Sequence, residues 1–439
     1  MSEINSSNFK KEHGDLAPDL VGLTELTSSY FFVPPSGTTA ERPEECEPGT
    51  LRFNTDIGSL EVFRGDGIGW EIIQRRESQY LGGGTGSNAG TGVRGMALGG
   101  YSHPGYTATM DFFTIEILGD AQDFGDLNSS KTGLGGNSDS TRGVITGGHP
   151  ASSPYPATDE MQFITIASLG DATDFGDLNT SMVSHYSGGD KTRAIVGASE
   201  SGNSNVIEYY TIQSLGDTVD FGDRASGQYK YATGSVASTT RGLIMGGYDV
   251  PTAGTVNNID FLTISTLGNT QEFGDLTISG SSQGTASNAT RAIRMGRYPT
   301  NNVIDFVTIA TEGNAIDFAP LIGDAQQMSG FANSTHGIFL LYAPTAVVNP
   351  IDHLNLVSGG NAVHHGELTR LTSAQQAGGC NHVRGLFAGG FNTPGTSATN
   401  HIDMVEIQTS GTAQDFGDLA VSIDVAHGCS DSHGGLGGF

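Results

Sequence analysis

An arginine recurs at one position of a repeated motif, and the guanidinium is the group in this chain best suited to hold or bind charge. It can grip a carboxylate through two parallel hydrogen bonds, and it can also bind an anionic ligand. Histidine replaces it in two copies, His336 and His433, and successive copies are 45–51 residues apart. The six arginines are Arg94, Arg142, Arg193, Arg241, Arg291 and Arg384. Because the chain has only 20 lysines and arginines, six at one repeated position indicate a shared role.

Aspartate recurs in the second half of the same motif, where most copies contain the sequence DFGD. The last aspartate of this sequence is Asp126, Asp177, Asp223, Asp275 or Asp418. We expect the repeated arginines to form buried or half-buried ion pairs with these carboxylates and so to hold adjacent strands together. The alternative is a channel that is lined by the arginines and binds an anion. Both interpretations require elements that position the two halves of each repeat.

The repeats fill the chain from Tyr80 to Phe439, and their pattern predicts short β-strands. One complete copy reads TRGVITGGH, a variable link and MQFITIASLGDATDFGDL, from Thr141 to Leu178. The strands predicted for this copy are Thr132–Asn137, Gly143–Thr146, Met161–Ala167 and Thr173–Leu178. Four short strands per repeat, in a chain with 65 glycines and no helical spacing, are typical of the blade of a β-propeller. The predicted fold is therefore all-β, a propeller of four-stranded blades.

The number of blades depends on how the two chain ends are used. The first half of the motif occurs eight times and the second half seven times. Leu60–Arg64 and Trp70–Ile73 align with the third and fourth strands of a repeat, so they could supply the outer half of an eighth blade. Val425–Phe439 would then supply its inner half. We favour eight blades closed in this way, and seven blades with a separate terminal hairpin is the alternative.

Three segments are predicted along the chain. Residues 1–50 form an extended N-terminal arm, in which prolines interrupt regular structure. Residues 51–78 form a β-meander, and residues 79–439 form the propeller. The one apolar cluster of the arm consists of Tyr30, Phe31, Phe32 and Val33. We expect this cluster to dock on a neighbouring subunit, with folding back onto the main domain as the alternative.

Several motifs that suggest catalysis or ligand binding have structural explanations. The DFG triplet holds magnesium in protein kinases, but here it recurs without their glycine-rich loop and lysine, so we expect its phenylalanine to pack between blades and its Gly-Asp to turn the chain. Gly82–Gly90 resembles a dinucleotide-binding loop, yet no helix follows it. Calcium binding at Gly119–Asp126 is an alternative whose spacing matches no calcium loop. The sequence predicts no enzyme and no cofactor.

Net charge argues against some classes of binding partner, and the cysteine content indicates the compartment in which the protein folds. The formal net charge of −27 repels phosphate, so it argues against nucleic acid and anionic membranes as partners. No apolar stretch is long enough for a transmembrane helix, and the first residues do not form a signal peptide. Cys46, Cys380 and Cys429 are an odd, scattered set that we expect to be free thiols. Free thiols suit folding in a reducing cytoplasm.

The repeat resembles the kelch class of β-propeller, although the usual kelch tryptophan is missing. The pattern TRGVxxGG…IDFxTIxxxGxAxDFGDL is similar to kelch-like repeats in structural proteins of tailed bacteriophages, notably those of marine cyanobacteria. The segment PSGTTAERPEECEPGTLRFNTDIGSLEVFRGDGIGWEII resembles an N-terminal module of phage tail, fibre and baseplate proteins. Together the two resemblances cover most of the chain, and the copy at Thr335–Leu368 departs most from the pattern.

The resemblance implies a non-enzymatic structural protein of the virion, made in the host cytoplasm. Its N-terminal arm would mount it on other virion proteins, and its propeller would be displayed for subunit contacts or for attachment to the host surface. Implied partners are other virion proteins, further copies of the chain, and a glycan or protein of the host surface. The alternative is a carbohydrate-active propeller enzyme such as a depolymerase. The single tryptophan of the chain, Trp70, favours the structural role, because sugar-binding enzymes stack sugars on aromatic rings.

Overall fold

The chain folds into two compact units, Met1–Arg76 and Glu77–Phe439. A computed structural model describes residues 34–43, 46–56, 59–65, 69–72, 83–84, 93–150, 156–197, 205–225, 229–230, 234–318, 320–325, 329–341, 350–370, 372–373, 377–392, 397–424 and 426–432. These residues form β-strands and one short 3-10 turn, with no α-helix among them. None of their helical segments has the length and apolarity that crossing a membrane requires.

The N-terminal unit is a small four-stranded sheet. Its strands are Ser36–Gly37, Leu51–Asn54, Ser59–Phe63 and Trp70–Ile72, and a 3-10 turn covers Thr39–Glu41. The first two strands are parallel. The last three pair antiparallel in chain order, as in a β-meander. The first strand and the 3-10 turn belong to the segment predicted as an arm, so the boundary expected at residue 50 falls inside this unit.

A buried glutamate holds this small sheet together. The side chain of Glu61 is 0% exposed and accepts a hydrogen bond from Arg42 at 2.6 Å. Arg52 lies 3.4 Å from the same carboxylate and stacks on the ring of Trp70 at 5.7 Å. The Arg42 guanidinium lowers the pKa of Glu61, because it stabilises the ionised form. Since Trp70 also contacts Phe63 at 5.5 Å, the expectation that the tryptophan packs is confirmed.

The second unit contains seven antiparallel sheets among its described residues, each with four main strands in the order first-second-third-fourth, and two of the sheets have a short fifth strand. We number them 1 to 7, and we give the strands of each sheet from the first to the fourth. Sheet 1 consists of His427–Ser430, Arg94–Leu98, Thr109–Thr114 and Gln122–Asp126; sheet 2 of Gly135–Ser138, Arg142–Thr146, Thr158–Thr165 and Thr173–Met182; sheet 3 of Tyr186–Gly189, Arg193–Gly197, Val206–Thr211 and Val219–Asp223; sheet 4 of Gly234–Ala237, Arg241–Asp249, Gly254–Thr263 and Gln271–Asp275. Sheet 5 consists of Gly284–Ser287, Arg291–Met295, Ile304–Thr308 and Ile316–Asp317; sheet 6 of Ser329–Ala332, His336–Leu340, Pro350–Asn355 and Val363–Glu367; sheet 7 of Ala377–Cys380, Arg384–Ala388, Thr399–Glu406 and Gln414–Ile423.

Eight further short strands complete the described set. Gly83–Gly84 pairs with the first strand of sheet 3, and Tyr229–Lys230 pairs with the second strand of sheet 4. Three two-stranded ribbons are Tyr101–Ser102 with Gly105–Tyr106, Lys131–Thr132 with His149–Pro150, and Thr372–Ser373 with Phe391–Asn392.

Both faces of a third strand are covered by neighbouring sheets, because successive side chains point to opposite faces. In sheet 2, Ile164 packs with residues of sheet 1, and Met161, on the other face, packs with residues of sheet 3. First strands are rich in glycine and serine, and those of sheets 1 to 6 contact one another in sequence, as does that of sheet 7 with that of sheet 1. Apolar side chains fill the space between neighbouring sheets, where Met96 meets Ile145. This all-β arrangement is consistent with a β-propeller-like fold.

The predicted combination of the meander strands and the C-terminal strand in one blade is wrong. His427–Ser430 pairs with Arg94–Leu98 and becomes the first strand of sheet 1, while the meander strands pair with one another in the N-terminal unit. The reason lies in the chain before Arg94. Gly83–Gly84 pairs with Gly188 and Gly189 of sheet 3, so it does not supply the first strand of sheet 1. An unpaired edge would otherwise remain on Arg94–Leu98, and the end of the chain satisfies its hydrogen bonds.

Candidate functional site

The repeated arginine and the repeated aspartate lie at opposite ends of each sheet. Arg142 stands opposite Thr165, at the end of the third strand, whereas Asp177 stands opposite Glu160, near the start of that strand. Five residues of extended chain separate these two positions, which is roughly 16 Å. The predicted ion pairs between repeated arginines and aspartates are therefore wrong. The arginine-lined anion channel, the alternative, stays a prediction.

Each arginine instead joins two sheets through a main-chain carbonyl. The guanidinium of Arg142 donates a hydrogen bond to the main-chain oxygen of Ile212 in sheet 3 at 3.1 Å, and it lies 4.4 Å from the ring centre of Phe163 in its own sheet. A cation above an aromatic face is attracted by the ring quadrupole, and more so when both are partly shielded from water. The carbonyl acceptors of the six arginines, in chain order, belong to Ile166, Ile212, Ile264, Ile309, Leu356 and Glu116.

The last of these bonds joins sheet 7 to sheet 1. Arg384 donates to the main-chain oxygen of Glu116 at 2.9 Å, and its Nε lies 3.6 Å from the carboxylate of Glu406. Its own sheet has Met404 where most of the others have an aromatic ring. The arginine joint is thus present between sheets 7 and 1 as it is between sheets that follow one another in the chain.

The repeated aspartates do lie at the joints, but they act through their main chain. The carbonyl of Asp126 accepts a hydrogen bond from the N–H of Ala172 at 2.9 Å, and the N–H of Asp126 donates to the side chain of Asp171 at 3.0 Å. Both partners belong to the turn between the third and fourth strands of the next sheet. The equivalent pairs of main-chain N–H and side-chain acceptor are Asp177 with Asp217, Asp223 with Asn269, Asp275 with Asn314, and Asp418 with Asp120.

The glycine of DFGD allows this contact. Gly125 has a φ of 142°, and a Cβ placed there would lie 2.5 Å from the carbonyl carbon of Gly170 in the next sheet. It forms a bulge within the fourth strand, so the expectation that Gly-Asp turns the chain is wrong. The neighbouring Phe124 is 3% exposed and packs with residues of sheets 1 and 2, which confirms that this phenylalanine lies between sheets.

A second joint uses a buried polar residue of the third strand, which the sequence analysis did not single out. Its side chain accepts a hydrogen bond from the preceding sheet, from a residue in the last part of the fourth strand or just after it. In sheet 7, Asp403 accepts from the hydroxyl of Thr369 at 2.6 Å. The seven residues at this position are Asp111, Gln162, Glu208, Asp260, Asp305, Asp352 and Asp403, all buried. The signal was present as the polar residue three positions before the end of the third strand, for which most copies have aspartate in the sequence IDF or its variants.

Burial raises the pKa of several of these carboxyl groups. It raises the pKa of Asp111, Asp305 and Asp403, and it raises the pKa of Asp352 to about 6. For Asp305 the effect of burial exceeds the opposing effect of Arg294, whose guanidinium lies 3.4 Å away. The ionised form is disfavoured because the protein interior solvates charge poorly.

The joint between sheets 5 and 6 lacks part of this pattern. Elsewhere the turn of one sheet donates two main-chain hydrogen bonds to the fourth strand of the preceding one, as Gly170 does to Phe124 and Ala172 to Asp126. Phe318 and Pro320 receive neither bond among the described residues. Pro320 occupies the position of the donating aspartate, and a proline has no N–H to donate.

Sheet 6 also replaces a whole side-chain stack by histidine. In sheet 2, Arg142 lies on Phe163, which contacts Phe175 edge to face at 6.2 Å. In sheet 6 the same positions are filled by three histidines, with successive ring centres 6.1 and 5.4 Å apart. They are His336, His353 and His365. Burial lowers the pKa of all three, and that of His365 to about 4.

Other sequence predictions have mixed outcomes. Cys46, Cys380 and Cys429 are free thiols, as expected. Within the stretch considered for calcium, Asp120 accepts the main-chain N–H of Asp418. The described residues contain no group of three or more His, Cys, Asp or Glu side chains placed to hold a metal ion. The apolar cluster Tyr30–Val33 and the motif histidine His433 lie outside the described residues.

A comparison of the sequence with protein-family models and with curated proteins found no match.

Proposed function

We propose that the chain is a non-enzymatic structural protein of a tailed-phage particle whose repeat unit is a seven-bladed, kelch-like propeller. In this proposal sheets 1 to 7 are the blades, and His427–Ser430 closes the ring by completing the blade that contains Arg94–Leu98. One observation carries the proposal. The repeated side chains able to do chemistry, the arginines and the third-strand acids, are engaged in joints between neighbouring sheets.

The repeated polar groups stabilise the repeat unit, so its exposed surfaces are available to contact other molecules. The outer strands carry exposed aspartates such as Asp123 and Asp174, and the turns carry exposed leucines such as Leu169 and Leu215. These surfaces would meet other virion proteins, further copies of the chain, or a glycan or protein of the host. The N-terminal unit would mount the chain, which its resemblance to modules of phage tail proteins supports. The protein would be made in the host cytoplasm, where it would be built into the virion.

The decisive experiment asks whether the protein belongs to the particle. Phage particles from cells infected by a phage that encodes this chain would be purified on a density gradient, labelled with gold-conjugated antibody against the repeat unit, and analysed by mass spectrometry. We expect labelling at a fixed place on the particle and a constant copy number. Protein that stays entirely in the soluble lysate would overturn the proposal.

A second measurement separates display from catalysis. The purified protein would be incubated with polysaccharide from the host surface, and new reducing ends would be measured over time. We expect none above the level of heat-denatured protein. Release of reducing ends in proportion to protein concentration would instead establish the depolymerase alternative.

A further inference from the structure

A cleft of about 520 Å³ lies beside the joint between sheets 2 and 3. Asn179, near the outer end of sheet 2, forms part of its wall. Most of the remaining lining comes from the third and fourth strands of sheet 3. The residues that matter there are Val206, Glu208, Val219, Asp220 and Asp223.

The strand register puts three carboxylates on one face of this cleft. Glu208 stands opposite Asp220, and Val206 stands opposite Asp223. A bulge between these two pairs keeps Asp220 and Asp223 on the same side of the sheet. Glu208 is fully buried, Asp220 is exposed, and Asp223 is half-buried. The cleft therefore has acidic groups at its floor and at its rim.

Only one of the two carboxylate oxygens of Glu208 accepts hydrogen bonds from described residues. Its Oε2 accepts hydrogen bonds from the hydroxyl of Thr218 at 2.5 Å and from the main-chain N–H of Asn179 at 2.9 Å. Its Oε1 is buried and has no hydrogen-bond partner, and no described lysine, arginine or histidine forms an ion pair with this carboxylate. An unpartnered buried carboxylate oxygen is unfavourable unless a donor fills the space beside it.

At three other joints of the same chain, a nitrogen group lies beside the equivalent carboxylate. Asp260, at the position of Glu208 in sheet 4, receives the Nε of the fully buried Arg224 at 2.5 Å. Asp305 in sheet 5 has Arg294 at 3.4 Å, and Asp403 in sheet 7 has His401 at 3.4 Å. Each of these partners is a nitrogen cation or can become one.

We propose that the cleft binds an ammonium or guanidinium group from outside the chain, with Glu208 Oε1 as the buried acceptor and Asp220 and Asp223 as the acidic rim. The ligand has N–H donors, because a nitrogen group that is charged or can be protonated lies beside the equivalent carboxylate at three other joints. The fitting partner is a polypeptide that presents a lysine or arginine side chain. The proposal does not depend on the virion role, since it concerns the site alone.

Methyl NMR can follow binding at this place, because Val206 and Val219 line the cleft. Protein with labelled valine methyl groups would be titrated with N-acetyl-lysine methylamide at constant ionic strength. We expect saturable shifts at these two valines. Glu208→Gln should weaken binding by about tenfold, because the acceptor loses its charge and a hydrogen bond to a neutral oxygen is weaker. Asp174→Asn removes one charge at the equivalent place in sheet 2 and should leave the titration unchanged.

Three results would overturn the proposal. They are the absence of saturable shifts at Val206 and Val219, a titration of Glu208→Gln equal to that of the unaltered protein, and equal weakening by Asp174→Asn, which would indicate general charge attraction. If Glu208→Gln does not fold, Asp220→Asn combined with Asp223→Asn decides the matter by the same criteria. Calcium that displaces the lysine probe would indicate a metal site instead, and spermidine that binds more tightly than the probe would identify free polyamines as the source of the cation.

Discussion

The guanidinium of Arg142 donates a hydrogen bond to the main-chain oxygen of Ile212, 3.1 Å away in the neighbouring sheet, while it lies on the ring of Phe163 in its own sheet. One side chain thereby links two neighbouring sheets and also packs on the third strand of its own sheet. The repeat of 45–51 residues carries one such joint for six of the seven sheets, and sheet 6 has His336 at this position.

We expect Arg142→Met to lower the free energy of unfolding by about 1–2 kcal/mol, because one hydrogen bond and one cation–π contact are lost. The loss should be smaller than the roughly 3–5 kcal/mol that follows the breaking of a buried ion pair, since no buried carboxylate is left without its partner. The unfolding free energy would be measured by chemical denaturation, with circular dichroism as the signal. Lys191→Met, which removes an exposed cation from the turn before Arg193, should change stability little. A loss near 4 kcal/mol for Arg142→Met would show that a buried acid had been missed.

The place of the joints could be predicted from the sequence, but the atoms that form them could not. Arginine and aspartate recurred with one period, which located both at repeated contacts. A strand register decides which ends meet, and it places Arg142 and Asp177 at opposite ends of a third strand. Carbonyl acceptors such as that of Ile212 are present in every residue and leave no trace in composition. The partner of each arginine was therefore invisible in the sequence.

The pairing of the strand His427–Ser430 shows a second limit. The residues HGCSDS before His433 match GGNSDS before Thr141, which is the first strand and turn of sheet 2. This match could have identified His427–Ser430 as a first strand. The alignment of Leu60–Arg64 with a third strand was misleading, because short alternating strands look alike in any antiparallel sheet. Only hydrogen-bond pairing distinguishes them.

Removal of residues 427–439 should destabilise the repeat unit severely and promote aggregation. The deletion exposes the edge of Arg94–Leu98, a strand whose last four residues are buried. Differential scanning calorimetry and light scattering would measure the two effects. Deletion of residues 433–439 alone keeps the strand His427–Ser430 and should be much milder. Equal stability of the two truncated proteins would show that this strand is not needed to complete sheet 1.

Restoring the repeat consensus at the incomplete joint should strengthen it. Ala319→Gly together with Pro320→Asp recreates the DFGD sequence and supplies the missing N–H donor. We expect a gain of about 1 kcal/mol in unfolding free energy, the typical net value of a hydrogen bond, and slower hydrogen exchange at Gly360 and Ala362. Pro320→Ala alone restores the N–H without the glycine that lets the chains approach, so it should gain less. Unchanged exchange in the double variant would show that the turn of sheet 6 cannot adopt the usual contact.

The buried acid of sheet 6 should make stability fall as pH rises. Burial raises the pKa of Asp352 from 3.8 to about 6, so its contribution is fully present below pH 3.8 and is lost as pH rises through 6. Its Oδ2 accepts the N–H of Ile322 at 3.1 Å, and an asparagine oxygen can do the same. Asp352→Asn should therefore raise the unfolding free energy by on the order of 2 kcal/mol at pH 8, and by little at pH 4. Asp317→Asn changes an exposed carboxylate of sheet 5 and serves as the control. A gain of the same size at both pH values would point to altered packing instead.

The three stacked histidines of sheet 6 should weaken the protein in acid. Burial lowers their pKa values, that of His365 from 6.5 to about 4, so their stabilising contribution is present above pH 6.5 and is lost as pH falls. The ring of His353 is 6.1 Å from that of His336 and 5.4 Å from that of His365, so protonation of one disfavours protonation of the others. The exposed His364 adds to this repulsion at His365.

Replacing the stack by its counterpart from the other sheets should remove this sensitivity. The triple variant His336→Arg, His353→Phe and His365→Phe recreates the arginine and two aromatic rings found in sheet 2. Between pH 7.5 and pH 4.5 we expect it to lose less unfolding free energy than the unaltered protein, by on the order of 2 kcal/mol. His364→Gln, which removes one exposed histidine from the same sheet, should leave most of the acid sensitivity in place. Thermal unfolding across this pH range, with hydrogen exchange followed at sheet 6, provides the measurement. If the triple variant loses as much unfolding free energy in acid as the unaltered protein, other groups cause the sensitivity, such as the buried His185 and His427.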